Sequence, residues 1–254
     1  MILPLAGLPR SGTTVLRSIL EQNLSLSVSP YSGLSEILTG LGTLWVSRPH
    51  SAFPRTDARL RVLKAIAASY HDSEISVDLA RDWPSKIDVL EQSTGRKANI
   101  VCMVRPPVEI FASLERLHRL DPSSRWSAIP HADTVAGRVE NNFSLVRSAY
   151  DSIASALDSQ YGDRLLFVDY HKLVQYPDTQ MRRIYGHWGV PEVNHQYDNL
   201  ILTRKEDDLA HGRINLHSIE SKLSSREYQA VDFLGKRLVD IISTELPVFW
   251  NQWT

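Results

Sequence analysis

The 254-residue chain has a single cysteine, no apolar run of membrane length and almost no net charge. Each shortage excludes something. Cys102 has no partner for an intrachain disulfide, and its place in the apolar run 100–104 makes it a buried core thiol rather than a nucleophile. No stretch approaches the roughly 20 apolar residues of a spanning helix, so no membrane span is expected. The residues ahead of Gly7 are too few and too uncharged for a signal peptide. A cytoplasmic protein is therefore expected, although an upstream anchor in a longer precursor is compatible with the same residues. With 28 basic against 29 acidic residues, the net charge of −1 exerts no general pull on nucleic acid or an acidic membrane. Any anion site must be local. The nine histidines form no H-E-x-x-H and no ligand cluster, so no metal is expected. Repeats, low-complexity tracts and Gly/Ser-rich linkers are also lacking, which leaves one domain over residues 1–254.

Strand and helix patterns alternate along the chain. That alternation predicts an α/β fold with a doubly wound, mainly parallel sheet flanked by helices. Strands are expected over 2–6, 24–28, 75–79, 99–104 and 165–168. Helices are expected after Thr13, around 34–39, over 60–70, after Pro84, after Pro107, over 133–157 and up to Gly189, with an amphipathic tail over 224–245. The run 99–104 is apolar throughout rather than alternating, as in a strand buried on both faces. Segments 47–56 and 197–218 carry no clear pattern and are long enough for active-site lids.

The most informative segment is 7–14, Gly-Leu-Pro-Arg-Ser-Gly-Thr-Thr, between the first strand and the first helix. It has the G-x-x-x-x-G frame of a P-loop, in which backbone amides and a helix N-terminus surround an anion. Thr13 stands where a nucleoside-triphosphate site needs lysine, and Arg10 is the only cation in the loop. The loop is therefore built for another anion. A second anion signal follows the buried strand, where Arg105 marks the strand's C-terminal end and Ser113 lies eight residues on, in the next helix. Ligands of open α/β sheets bind at strand C-termini, so two cation-bearing strand ends on one edge suggest a ligand with two separate anionic groups.

Residues 9–14, Pro-Arg-Ser-Gly-Thr-Thr, together with the Arg105/Ser113 pair, resemble the sulfotransferases that use 3′-phosphoadenosine 5′-phosphosulfate (PAPS). The form of the loop, with Glu21-Gln22-Asn23 near the end of its helix, is similar to a bacterial and phage-borne branch and to the tyrosylprotein sulfotransferases. Tyr170, Leu173, Arg182, Arg183, Tyr185 and Gly189 resemble that family's later strand, turn and helix, so the resemblance runs from residue 2 to about 191. It implies that Pro9, Arg10, Ser11, Gly12, Thr13 and Thr14 hold the 5′-phosphosulfate, that Arg105 and Ser113 hold the 3′-phosphate, and that Tyr170 lies near the adenosine. A donor without a γ-phosphate requires neither the lysine nor magnesium. The expected product is adenosine 3′,5′-bisphosphate.

Sulfuryl transfer calls for stabilisation of the leaving phosphate, a task for Arg10 and the loop amides, and for a base near the acceptor hydroxyl. By the resemblance, Glu36 is the first candidate for that base and Asp78 the second; His50, on a loop without a clear pattern, is a third. Arg81 is a candidate for positioning sulfonate or acceptor. His211-Gly212-Arg213 is the only segment comparable to the family's basic closing loop, and it lacks that loop's second glycine and lysine, so Arg213 is carried as a donor ligand on that likeness alone. The acceptor, a small molecule, glycan or peptide with a hydroxyl or amine, is not named by the sequence. Trp45, Phe53 and Trp126 are either its aromatic contacts or packing residues. A P-loop small-molecule kinase and a catalytically silent nucleotide-binding scaffold are the alternatives, and no oligomeric state follows from the residues.

Overall fold

In a computed structural model, which describes residues 1–47, 56–121, 133–206, 208, 216–224 and 229–254, the first apolar run forms strand β1 (Ile2–Gly7). The next elements are α1 (Thr13–Leu20), β2 (Ser27–Val28), α2 (Leu34–Ser47), α3 (Thr56–Ser69), β3 (Ser76–Leu79), α4 (Ile87–Thr94), β4 (Ile100–Val104) and α5 (Pro107–Leu120). The second half adds α6 (Val135–Leu157), β5 (Leu165–Asp169), α7 (Tyr170–Gln175), α8 (Pro177–Trp188), α9 (Ala230–Leu234) and α10 (Lys236–Glu245). The five strands are parallel in the order β2-β3-β1-β4-β5. The expected doubly wound architecture is present. Every residue of β4 is buried, as its unbroken apolar run requires.

Side chains alternate across the sheet and feed two cores. Ala6, Cys102 and Val104 join Leu34 and Leu38 of α2, Ile110 of α5 and Val146 and Ile153 of α6. Leu3, Leu5, Val101 and Met103 instead meet Leu16 and Ile19 of α1 and Met181, Ile184 and Trp188 of α8. Cys102 is fully buried, and burial pushes its thiol far above the ordinary range.

The strand order also fixes where a ligand can enter. The chain leaves β1 toward β2 on one side and leaves β4 toward β5 on the other, so a crevice opens between the C-terminal ends of β1 and β4. The segments emerging there begin with Leu8 and Arg105. Those are the two anion signals of the sequence.

Three expectations change. The strand expected over 24–28 shrinks to Ser27–Val28, because Asn23 folds the chain into a turn: its side-chain oxygen accepts from the Ser25 amide at 3.0 Å and its carbonyl from Leu26 at 2.9 Å. Leu24 is left 98% exposed. The second helix runs on to Ser47 instead of stopping near residue 39. The tail is two helices rather than one stripe, broken at Gly235, whose φ of 76° and ψ of 154° are incompatible with a continuous helix.

Candidate active site

The loop after β1 is closed by its own side chain. Both the amide and the hydroxyl of Ser11 donate to the Leu8 carbonyl, at 3.2 and 2.7 Å, and Ser11 is fully buried. These two bonds hold the loop closed. Arg10 and Gly12 both take positive φ, 61° and 96°. For arginine that conformation costs on the order of 1 kcal/mol, a strain typical of a functional turn. Gly12 is the N-cap of α1 and no side chain caps that helix, so the first-turn amides of Thr13, Thr14 and Val15 are left for a ligand.

Arg10 and Arg105 meet across the crevice. Arg10 Nε donates to Ser113 Oγ at 3.3 Å, its Nη1 to the Leu216 carbonyl, and Arg105 Nη1 reaches the Arg10 carbonyl at 3.5 Å. Arg105 is 5% exposed; Glu109, one turn along α5, accepts from its Nε at 2.9 Å. His171 Nε2 lies 2.9 Å from the same Glu109 oxygen, so one carboxylate ties the start of α5 to α7. The Arg105 guanidinium also lies over the Tyr170 ring, 4.6 Å from its centroid. Arg10, Arg105, Ser113 and Tyr170 line one cavity of about 530 Å³, together with Pro9, Gly12, Thr13 and Thr14. A cavity of that size suits one nucleotide-sized ligand.

Glu36 sits on the first turn of α2, exposed, and is joined to the cavity through Tyr31. Tyr31 lines the cavity and its hydroxyl donates to Glu36 Oε1 at 2.5 Å. Burial first, and the bond to Glu36 second, push the Tyr31 phenol up to about 12. Arg81 lines the same mouth. Asp78 is elsewhere. It is fully buried, with Oδ2 2.7 Å from His71 Nε2 and Oδ1 accepting from Trp83 Nε1 at 2.8 Å, and it does not line the cavity. Its place on β3 turns its side chain into the core rather than out of the strand end. His50, Phe53, Trp126 and Arg213, with His211 and Gly212, lie outside the described residues. Trp45 packs against the core edge under the Arg59 guanidinium, 5.7 Å from its ring centroid, and does not reach the cavity.

The structure adds lining residues with no signal in the sequence. Arg116 and Asn142 come from α5 and α6, and residues 216–220 and 222–224 lie along the opposite wall, bringing Glu220 and Lys222. That wall is knitted to segment 197–200 by amide donations from Leu200 to Ser221 at 2.6 Å and from Leu223 to Tyr197 at 2.7 Å. Buried Arg17 of α1 anchors the preceding segment through Glu206 at 2.5 Å, and His217 stands between Glu206 and Asp208, at 3.2 and 2.6 Å. The patternless stretch 197–218 is therefore, where described, a strap fixed by side chains distant in sequence.

Comparison with known proteins agrees with this geometry. Residues 85–194, which carry Arg105, Ser113 and Tyr170, match the model of the sulfotransferase family. A sulfotransferase domain from the curacin biosynthetic pathway is similar in structure over 98% of this chain and 98% of its own, at 16% identity and a TM-score of 0.53. A sulfotransferase from Mycobacterium avium is similar over 96% of this chain and 75% of its own, at 17% identity and a TM-score of 0.51. A mouse sulfotransferase complexed with PAP is similar over 96% and 83%, at 16% identity and a TM-score of 0.51. No curated protein matches the sequence. The matched segment is similar to the sulfotransferase family, and over nearly its whole length the chain has the fold of these sulfotransferases. Among the described residues, no helix is long and apolar enough to cross a membrane.

Proposed function

We propose that the chain transfers a sulfuryl group from PAPS to a hydroxyl or amine of a small-molecule, glycan or peptide acceptor, releasing adenosine 3′,5′-bisphosphate. The observation that carries this reading is the convergence of Arg10, Arg105, Ser113 and the uncapped start of α1 on one cavity. The residues fit a nucleotide with two separate anionic groups. Gly12 leaves open a cradle beside Tyr170 that any side chain would fill, and the amides and hydroxyls of Thr13 and Thr14 donate to the 5′-phosphosulfate. Arg105 and Ser113 take the 3′-phosphate, and Tyr170 flanks the adenine side.

Each residue's task follows from charge. Arg10 and the loop amides stabilise the negative charge that develops on the leaving phosphate oxygen, in positions fixed before reaction. Glu36, brought to the mouth by Tyr31, accepts the proton lost as the acceptor oxygen or nitrogen bonds to sulfur and the sulfur–oxygen bond to the phosphate breaks. Arg81 orients the acceptor from the same mouth. PAPS supplies the activated sulfuryl group; the rest is positioning. A kinase needs the lysine that Thr13 replaces.

Thermal shift tests the donor directly. Adenosine 3′,5′-bisphosphate stabilises the wild-type chain, ATP with magnesium does not, and the shift is lost in Arg10→Ala and reduced in Arg105→Ala. Stabilisation by ATP–magnesium alone, or equal bisphosphate affinity in Arg105→Ala and wild type, sinks the two-anion assignment.

A further inference from the structure

At the opposite end of the sheet, below the N-termini of β1 and β3, lies a second cavity of about 400 Å³. Its apolar wall comes from Ile2, Pro4, Ala67, Leu90 and Trp188. Its charged lining is of one sign: Lys64 from α3 and Arg96 and Lys97 from the turn after α4, with His71 beside them and no aspartate or glutamate among the lining residues. In a chain with a net charge of −1, three cations around one concavity with no lining carboxylate make a local positive field. None of these three side chains enters an ion pair among the described residues.

An independent feature also points to a ligand. Ser76, 1% exposed, and Trp188, 7% exposed, both line this cavity, and Ser76 Oγ and Trp188 Nε1 are buried without a hydrogen-bond partner. A buried polar group left unpaired costs about 1–3 kcal/mol, so two among the lining residues call for an acceptor. Ser76 lines the cavity, and its hydroxyl is free to turn about a single side-chain bond. Hydrogen-bond donors within an apolar wall, with cations around it, describe the complement of a compact organic anion.

We propose that this cavity is a second binding site, separate from the sulfuryl-transfer site, for a small organic anion with an apolar body. The anionic group, a phosphate, sulfate or carboxylate, lies toward Arg96 and Lys97 and accepts from Ser76, while the apolar body packs on Leu90 and Trp188. Since β1 and β3 run from this cavity to the crevice holding Arg10 and Arg81, the two sites share a rigid wall without sharing a residue.

The test follows the Trp188 indole N–H by ¹H–¹⁵N NMR, its resonance assigned with Trp188→Phe, during titration with phenyl phosphate. The Arg10→Ala/Arg105→Ala variant is used as host, so that binding at the first cavity is suppressed. The resonance is expected to shift saturably, and Arg96→Glu/Lys97→Glu, both at exposed positions, should weaken the apparent affinity by about tenfold or more through charge reversal. Ser76→Ala should weaken it less. No movement of the Trp188 signal overturns the proposal, as does an equal response in the double-glutamate variant. Equal titration by phenol would show an apolar pocket with no use for its cations and would also overturn it. Inorganic phosphate separates the sources of affinity: weaker binding than phenyl phosphate supports the apolar subsite, and tighter binding contradicts it. The readout is independent of sulfuryl transfer.

Discussion

Gly12 lies so close to Tyr170 that an added Cβ would stand 2.6 Å from ring atom Cδ2. The loop glycine and the aromatic residue just past β5 are 158 positions apart, and their contact sets the width of the crevice between β1 and β4 at this point. Tyr170 in turn supports Arg105 on its other contact, at 4.6 Å from the guanidinium carbon. Loop, ring and guanidinium thus form one stack.

Gly12→Ala meets two penalties at once, a φ of 96° and the Tyr170 ring. Together they should lower stability by about 1–3 kcal/mol and abolish bisphosphate binding. Adding Tyr170→Ala removes the clash but leaves the backbone strain, and it abolishes the cation–π contact with Arg105. The double variant should therefore regain part of the stability in urea unfolding without regaining the bisphosphate-induced thermal shift. Strict additivity of the two changes would show that the residues do not couple.

Tyr31 and Glu36 offer a titration. The Tyr31 phenol, raised from its ordinary 10.0 to about 12 by burial and then by its bond to Glu36, retains its proton in the folded state after the unfolded chain has lost it. Its contribution to stability is complete below pH 10 and is lost as the pH rises toward 12. Tyr31→Phe should flatten the alkaline limb of the stability–pH curve, and Glu36→Gln should move the Tyr31 ionisation down, as read by ultraviolet titration of the difference between the variants. In turnover, Glu36→Gln should reduce kcat by about 10²-fold or more if it holds the acceptor proton, with Tyr31→Phe much milder.

The loop, Arg105, Ser113 and the α/β alternation were legible in the sequence because each depends on neighbours within a dozen residues or on an unbroken apolar run. Leu24 shows the limit of pattern alone. Its alternation with Leu26 and Val28 matches a strand, yet an Asn23 side chain accepting from the Ser25 amide turns the chain before the strand begins. Asp78 is a second case: strand-end position suggested chemistry, but the pleat directs the carboxylate inward to His71 and Trp83. The strap over the cavity was illegible for another reason. Arg17 meets Glu206 across 189 positions, and no local periodicity encodes such a pairing.

The helix that carries Ser113 is held by a buried ion pair whose pH dependence can be measured. Glu115, 4% exposed, accepts from Arg138 at 2.7 and 2.8 Å and from Arg119 at 3.0 Å. Burial pushes the Glu115 carboxyl up, but the Arg138 and Arg119 bonds outweigh it and hold the group below its ordinary 4.5. A depressed carboxylate contributes its stability above the unfolded value and loses it as the pH falls through the folded one, so the contribution is intact at neutral pH and decays below pH 4.5. Glu115→Ala strands Arg138 without its bidentate partner and should cost about 3–5 kcal/mol in urea unfolding at pH 7. The paired replacement Glu115→Leu/Arg138→Met leaves no buried charge behind. It should stay within about 1–2 kcal/mol of wild type and show a shallower loss of stability below pH 4.5. If the paired variant is as unstable as Glu115→Ala, packing rather than charge holds α5 against α6, because the two variants differ in whether the Arg138 guanidinium is left buried without Glu115.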